Sequence, residues 1–289
     1  MTNVLYELVK SKDAALTVTR ACRAVGVSRR WYPAWLHKPP DETDAELLRE
    51  IQDIAAMPRY GYRRVAAELK RRKIFVNRKK VLRIMRENAL LCKRKTFHPC
   101  TTDSKHGFRK YPNLIKDMTF TGLNRAWVSD ITYVRLQEDF AYLASILDRY
   151  SRKCVGWALG RTLESELALR ALDQALAGRK HLGFDGLIHH SDQGVQYACD
   201  AYVARLSKHG IRISMSERGN PYENAVAESF NKTIKVEEVY LSDYLDFEDA
   251  LANIGPFIEE VYNKKRLHSS IGYKPPEEFE QEFLKSGVA

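Results

Sequence analysis

The sequence predicts an α/β catalytic domain, a mixed five-stranded sheet with helices, preceded by all-α helix-turn-helix modules. Three observations carry this. Residues 1–116 hold 27 Lys/Arg against 11 Asp/Glu, whereas residues 117–289 hold 20 against 26, so a basic front precedes a mildly acidic back in a chain of net charge +10. Apolar residues recur at helical spacing along the front, and strand-like runs separated by short polar connections open the back. A basic segment joined to an acidic one points to DNA binding in front and a different task behind.

In residues 14–37, Leu16, Ala21, Ala24 and Val25 fall at helical spacing, Gly26 interrupts them, and Ser28 is a good N-cap for a second helix. Helix, glycine turn, helix outlines a helix-turn-helix module over 1–40, with Arg29 and Arg30 in the first turn of the second helix, where a recognition helix meets DNA. A plain helical hairpin has the same outline. After the break Pro39–Thr43, residues 41–92 predict a second helical DNA-binding module. Its first helix, 44–57, carries Ala45, Leu48, Ile51 and Ile54 on one face. Its second, Arg63 to Arg72, turns Val65, Ala66 and Leu69 inward and Arg63, Arg64, Lys70, Arg71 and Arg72 outward. Its third, 78–88, is capped by Asn77, buries Val81, Leu82 and Met85, and presents Arg78, Lys79, Lys80, Arg83 and Arg86. Such cations contact phosphates, which fixes register and reads little sequence. Residues 93–122 have no periodicity and are predicted to be a basic linker. Cys92, His98, Cys100 and His106 match no usual zinc spacing.

Residues 123–289 form the predicted catalytic core with a C-terminal helical extension. Strands at 127–134, 140–147 and 154–159, joined by the polar turns 135–139 and 148–153, make an antiparallel meander. A helix at 164–177, a strand at 187–190, a helix at 196–208, a strand at 211–215 and a helix at 223–238 follow. That is the element order of an RNase H-like fold. The 44% hydrophobic content supplies a sizeable core, and no apolar run approaches a membrane span, so no membrane partner is expected. Five scattered Cys without a CxxC pair predict a reduced, cytoplasmic protein without a disulfide framework.

Metal-assisted phosphodiester chemistry needs carboxylates brought to one point. Asp130 sits within an otherwise apolar strand, where an unpartnered carboxylate is costly. Asp192 ends the fourth strand, with Gly194 read as allowing a sharp strand-to-helix turn, and Glu228 lies on the last core helix. Asn224, Glu228 and Lys235 share a helix face, which sets a cation for DNA phosphate two turns from the carboxylate. His190 is equally a base or a structural residue. His190, Ser191 and Asp192 cannot converge as a hydrolase triad, because consecutive strand residues point to opposite faces.

These residues resemble the OrfB component of the transposases of insertion-sequence family three, within the DDE transposase and retroviral-integrase superfamily. The resemblance covers nearly the whole chain. It is carried by Tyr60–Val65, Asn77–Arg86, Trp127–Tyr133, His190–Tyr197, Ser214–Ser216, Gly219-Asn220, Asn224-Ala225, Glu228–Phe230 and Tyr262-Asn263, by Arg266 and His268, and by Gly272-Tyr273 with Pro275-Pro276. The 35 residues between Asp192 and Glu228 equal the family's spacing. The resemblance implies Asp130, Asp192 and Glu228 as catalytic triad and ligands of two Mg²⁺ ions, with Mn²⁺ as substitute. It implies metal-dependent strand cleavage at insertion-sequence ends and strand transfer through a free 3′-OH, with Lys235 as the basic residue that follows the Glu. The partners it implies are terminal inverted repeats, target DNA, further copies of the chain on DNA, and an upstream OrfA protein or frameshift fusion. The chain itself shows no sustained heptad. The location implied is the bacterial cytoplasm, on the nucleoid when DNA is bound. Two rivals share the fold: a catalytically inactive DNA-binding regulator, and a metal-dependent nuclease without joining activity.

Overall fold

The computed structural model describes residues 22–23, 42–57, 60–92, 108–116, 118–217 and 224–287. Apart from Cys22 and Arg23, the predicted helix-turn-helix with Arg29 and Arg30 lies outside the described residues.

The second helical module forms as its periodicity requires. Helices α1 (Glu42–Ala55), α2 (Tyr62–Arg71) and α3 (Arg78–Glu87) pack Leu47, Ile51, Ile54, Val65, Leu69, Val81, Ile84 and Met85 into one core. The Asn77 side chain caps α3 by accepting from the Lys79 N–H at 2.8 Å. Ile84 takes the buried place expected of Leu82, which is only half-buried, so the buried face is rotated slightly from the one read from sequence.

This module is not free-standing. Leu267 and Tyr273 of the C-terminal segment enter its core. The Tyr60 hydroxyl donates to the Lys265 carbonyl at 3.2 Å and accepts from the Leu267 N–H at 2.9 Å. Arg71 grips both Glu278 oxygens, at 2.9 and 2.5 Å. Arg64, expected to point outward, turns inward instead and pairs with Glu237 at 3.1 Å. The buried carboxylate of Glu237 needs cations and attracts Arg64 away from solvent.

Strands β1 (Ala126–Arg135), β2 (Phe140–Asp148) and β3 (Cys154–Gly160) form the expected antiparallel meander. Strand β4 (Ile188–Ser191) runs parallel to β1, and β5 (Arg212–Met215) parallel to β4, which gives the sheet order β3-β2-β1-β4-β5. Helix α4 (Ser165–Arg179) covers one face, packing Ala168, Ala171, Leu172 and Ala175 against Ala144, Ile146 and Ala158. Its approach depends on Gly156, since a Cβ there would stand 2.2 Å from the Ala171 carbonyl oxygen. The predicted helix 196–208 is two helices, α5 (Val195–Ala198) and α6 (Asp200–Lys208), because Cys199 takes extended backbone between them. On the other face lie α7 (Ala225–Ile234) and α8 (Phe247–Pro256), whose Phe230, Ile234 and Ile254 meet Val128, Leu143 and Leu147. Each runs on into a π-helical turn, Lys235–Val239 and Phe257–Tyr262. Helix α9 (Pro276–Lys285) closes the chain.

The described part of the predicted linker belongs to the core. Ile115 is buried, and Leu114 and Phe120 pack beside it. The Leu114 N–H donates to Ser214 Oγ at 2.8 Å, and the Met215 N–H donates to the Pro112 carbonyl. Its apolar residues are too few to show periodicity, yet they cover the edge of β5 and the underside of the sheet.

Candidate active site

The parallel pairing of β1 and β4 sets Val128 opposite His190. Continuing that register by two residues brings Asp130 level with Asp192, on adjacent chains and facing the same side. Alternation along β1 turns Asp130 with Val128 and Val134 toward α7. Asn231 of α7 reaches down and donates from Nδ2 to Asp130 Oδ2 at 2.8 Å. The Ile131 N–H donates to the other oxygen at 2.9 Å. Asp130 keeps some solvent exposure, but its carboxylate is enclosed by protein. That burial, followed by repulsion from Asp192, pushes its pKa to about 7, with two donated hydrogen bonds opposing and Glu228 adding to the repulsion.

Asp192 leaves β4 and accepts the Gly194 N–H at 3.0 Å, which fixes its carboxylate over the start of α5. Gly194 does not serve the turn in the way its sequence position indicates. Its φ of −68° is open to any residue. What it supplies is space, since a Cβ there would lie 2.9 Å from Asp192 Oδ1. Glu228 is exposed in the first turn of α7, and partial burial raises its pKa. Asn224 ends on the same side and donates to the Ser129 carbonyl at 3.0 Å. Lys235, one turn past Asn231, is half-buried; burial lowers its pKa, and the charge of Asp130 works against that shift. The structure therefore brings Asp130, Asp192, Glu228 and Lys235 to one end of the sheet. Among the described residues, no three His, Cys, Asp or Glu side chains stand close enough to share one ion.

Asn231 was not singled out in the sequence. Its only signal is the three-residue step from Glu228, which places it on the same helix face. Tyr197, fully buried beneath Asp130 and Asp192, was visible only inside its motif. Its hydroxyl pKa rises well above the usual value through burial, then the neighbouring Tyr202 and the two aspartates. His190 proves structural in its contacts: it is buried, with Nδ1 2.8 Å from Ser214 Oγ. Ser191 Oγ donates to the Asp192 carbonyl and takes no part in a triad.

Of the predicted DNA contacts, Arg63, Arg78 and Lys79 are exposed on the helical module. Lys80 pairs with Asp44 at 2.5 Å, and Arg64 with Glu237. Arg29 and Arg30 lie outside the described residues.

A mixed sheet of this order, with one acidic side chain inside its central strand, a second just past the end of the adjacent parallel strand and a third on the following helix, defines an integrase-type domain behind a helical module. The chain matches the integrase core domain over residues 121–221 and again over 209–276, and an HTH-like domain over 41–97. It is 38% identical over 269 residues to the insertion element IS600 uncharacterized 31 kDa protein of Shigella sonnei, covering 91% of this chain and 98% of that one. It is 31% identical to the transposase InsF for insertion sequence IS3A of Escherichia coli, covering 96% and 99%. With the transposase for IS904 of Lactococcus lactis it shares 35% identity over 85% and 99%. Among solved structures, the magnesium complex of the HTLV-2 integrase catalytic core domain aligns with 60% of this chain and 99% of its own at 15% identity, with a TM-score of 0.43. The chain belongs to the IS3 family of insertion-sequence transposases, and its activity class is that of a DDE-type DNA strand transferase.

Proposed function

We propose that the chain cleaves DNA at the ends of its insertion sequence and joins the freed 3′-OH to target DNA, with Asp130, Asp192 and Glu228 as catalytic carboxylates. The observation that carries this is the level placement of Asp130 and Asp192 on neighbouring parallel strands beneath the helix that bears Glu228. Three carboxylates that repel one another, one of them driven to a pKa of about 7, form a donor set that fits hard divalent cations. They would hold two Mg²⁺ ions, with Mn²⁺ as substitute, and such a pair activates an attacking oxygen and stabilises a leaving one.

The chain's own side chains prepare that site. Asn231 and the Ile131 N–H hold the Asp130 carboxylate in one orientation. The Gly194 N–H holds Asp192. Lys235 offers a cation to the phosphate beside the reacting bond, and Tyr197 closes the floor against water. Arg63, Arg78 and Lys79 contact backbone phosphates, Arg29 and Arg30 are assigned to DNA binding as well, and Arg64 and Lys80 are committed to internal ion pairs. We assign residues 1–40 and 41–92 to DNA binding and 123–289 to chemistry, with residues 108–122 serving the latter. Function on DNA requires at least two copies to pair the two ends, with an upstream OrfA protein or fusion as a further partner. A regulator that kept the fold and lost the chemistry has no observation in its favour, since all three carboxylates are present.

Asp192→Asn removes one carboxylate and leaves the helical module untouched. It should bind end DNA about as tightly as the wild type in a mobility-shift titration and lose cleavage by a factor of at least about 10³, given what a metal clamp contributes to such displacements. Cleavage by this variant at near the wild-type rate would remove the assignment.

A further inference from the structure

The helical module and the C-terminal segment enclose an open pocket lined by Tyr62, Arg63, Arg78, Lys79, Leu82 and Tyr273. Part of the module's basic surface is committed to the protein's own acidic side chains. Arg64, Arg71, Arg72, Lys80 and Arg83 are each neutralised by an acidic side chain of the protein itself. Arg63, Arg78 and Lys79 make no ion pair with an acidic side chain among the described residues, and all three converge on this pocket. Arg63 instead donates to the Tyr62 hydroxyl at 3.3 Å, with its guanidinium 5.8 Å from the ring centre, which draws cation and aromatic ring together.

The far wall is unusual in its backbone. Tyr273 has φ +59°, a left-handed conformation that a bulky side chain rarely adopts. The Tyr273 N–H donates to the His268 carbonyl at 2.8 Å, and the bridge from His268 to Lys274 holds the loop in that state. The strain keeps an aromatic ring against the pocket where a glycine would have satisfied the turn. On the loop that leads into α3, Phe75 is 78% exposed, the most exposed large apolar side chain among the described residues.

We propose that this pocket takes one unpaired nucleotide of a DNA strand, its base stacked on Tyr62 and Tyr273 and its phosphates met by Arg63, Arg78 and Lys79. Within a duplex each base face is covered by its neighbours, so only an unpaired base offers a face to tyrosine. Cations without aromatic walls would serve duplex backbone alone, and aromatic walls without cations would serve an apolar partner; the combination selects a single-stranded nucleotide. The inference rests on the DNA-binding reading of the module and adds a preference for unpaired strand that the reading does not contain.

The test uses the full chain and two DNAs of the same arbitrary sequence, one a blunt duplex and one with a short single-stranded overhang carrying 2-aminopurine. Stacking of one base predicts about tenfold tighter binding of the overhang DNA, and quenched aminopurine fluorescence. The ratio of the two affinities should fall to near one in Tyr62→Leu and in Tyr273→Asn; the latter keeps a residue that tolerates left-handed backbone, so the loop survives. Equal affinities in the wild type, or a ratio unchanged in both variants with native circular dichroism, overturn the pocket while leaving salt-dependent duplex binding, and the function proposed above, in place. Displacement of the overhang by free deoxyadenosine monophosphate at equal concentration overturns it too, by reassigning the pocket to a free nucleotide. If neither DNA binds, the underlying reading falls and this one with it.

Discussion

Asp130 is where folding and the proposed chemistry oppose each other. Its carboxyl group titrates near 7 in the fold, raised by burial and then by Asp192, against about 3.9 for a free aspartate. As pH rises through that interval the unfolded chain releases its proton first, so the metal-free fold loses stability between about pH 4 and pH 7. Asp130→Asn removes the charge, and the Asn231 amide, whose Oδ1 is buried without a partner, can turn to satisfy the new NH₂. The variant should therefore be more stable than the wild type at pH 8 by roughly 2–4 kcal/mol, with the gain vanishing toward pH 4. Mg²⁺ should raise the melting temperature of the wild type more than that of the variant. Thermal melts at both pH values, with and without Mg²⁺, check both statements, and a variant less stable at pH 8 would show that the carboxylate is not under strain. The aspartate was legible because a charge in an apolar strand is costly. Asn231 was not, because an asparagine on a helix carries no cost that exposes its role.

At the scale of elements, strand and helix periodicity placed the strands and helices from β1 to α7 to within a few residues, and α8 and α9 only as an undivided C-terminal helical extension. What it missed were departures from a single helix. Cys199 breaks one helix with extended backbone, and the π-turn Lys235–Val239 adds width just past the face of α7 that bears Glu228 and Asn231. That π-turn carries Glu237 into a buried cluster with Arg266, at 2.8 Å from both Nε and Nη2, and joins it to Arg64 of the helical module. A contact between residues 64 and 237 leaves no trace in local spacing, and so Arg64 read as surface. Glu237→Gln strands the buried guanidinium of Arg266 and should cost about 3–5 kcal/mol in urea unfolding. Arg64→Ala, a half-exposed partner, should cost about 1 kcal/mol. Equal, small losses from both would mean that the cluster does not tie the module to the core. The apolar residues of 108–122 were likewise unreadable as core, since they pack without period against an edge set elsewhere in the chain.

For the whole molecule, two buried imidazoles set the acid limit. Burial first, with His190 adding for His189 and with Arg266 and Arg64 adding for His268, lowers their pKa values to about 3 and about 2. Both are neutral in the fold, while in the unfolded chain they gain protons below about 6.5, so the stability they contribute is present above that pH and is lost as pH falls toward their folded values. Each takes about 1.4 kcal/mol per pH unit below 6, against the opposing contributions of Asp130, Asp148 and Glu228, whose raised pKa values add stability as pH falls. Between pH 6.5 and pH 5 the urea midpoint of His189→Gln should therefore fall less, or rise more, than that of the wild type, and parallel profiles would contradict the burial of a neutral imidazole. The larger claim is that one end of this sheet joins DNA. Its most direct measurement incubates the full chain with labelled DNA carrying the element's own end, a second unlabelled DNA and Mg²⁺, and follows the joined strand. The expected result is joined product that requires the divalent ion and disappears in each of Asp130→Asn, Asp192→Asn and Glu228→Gln. Joining that persists in chelator, or in any one of those three variants at the wild-type rate, would contradict it.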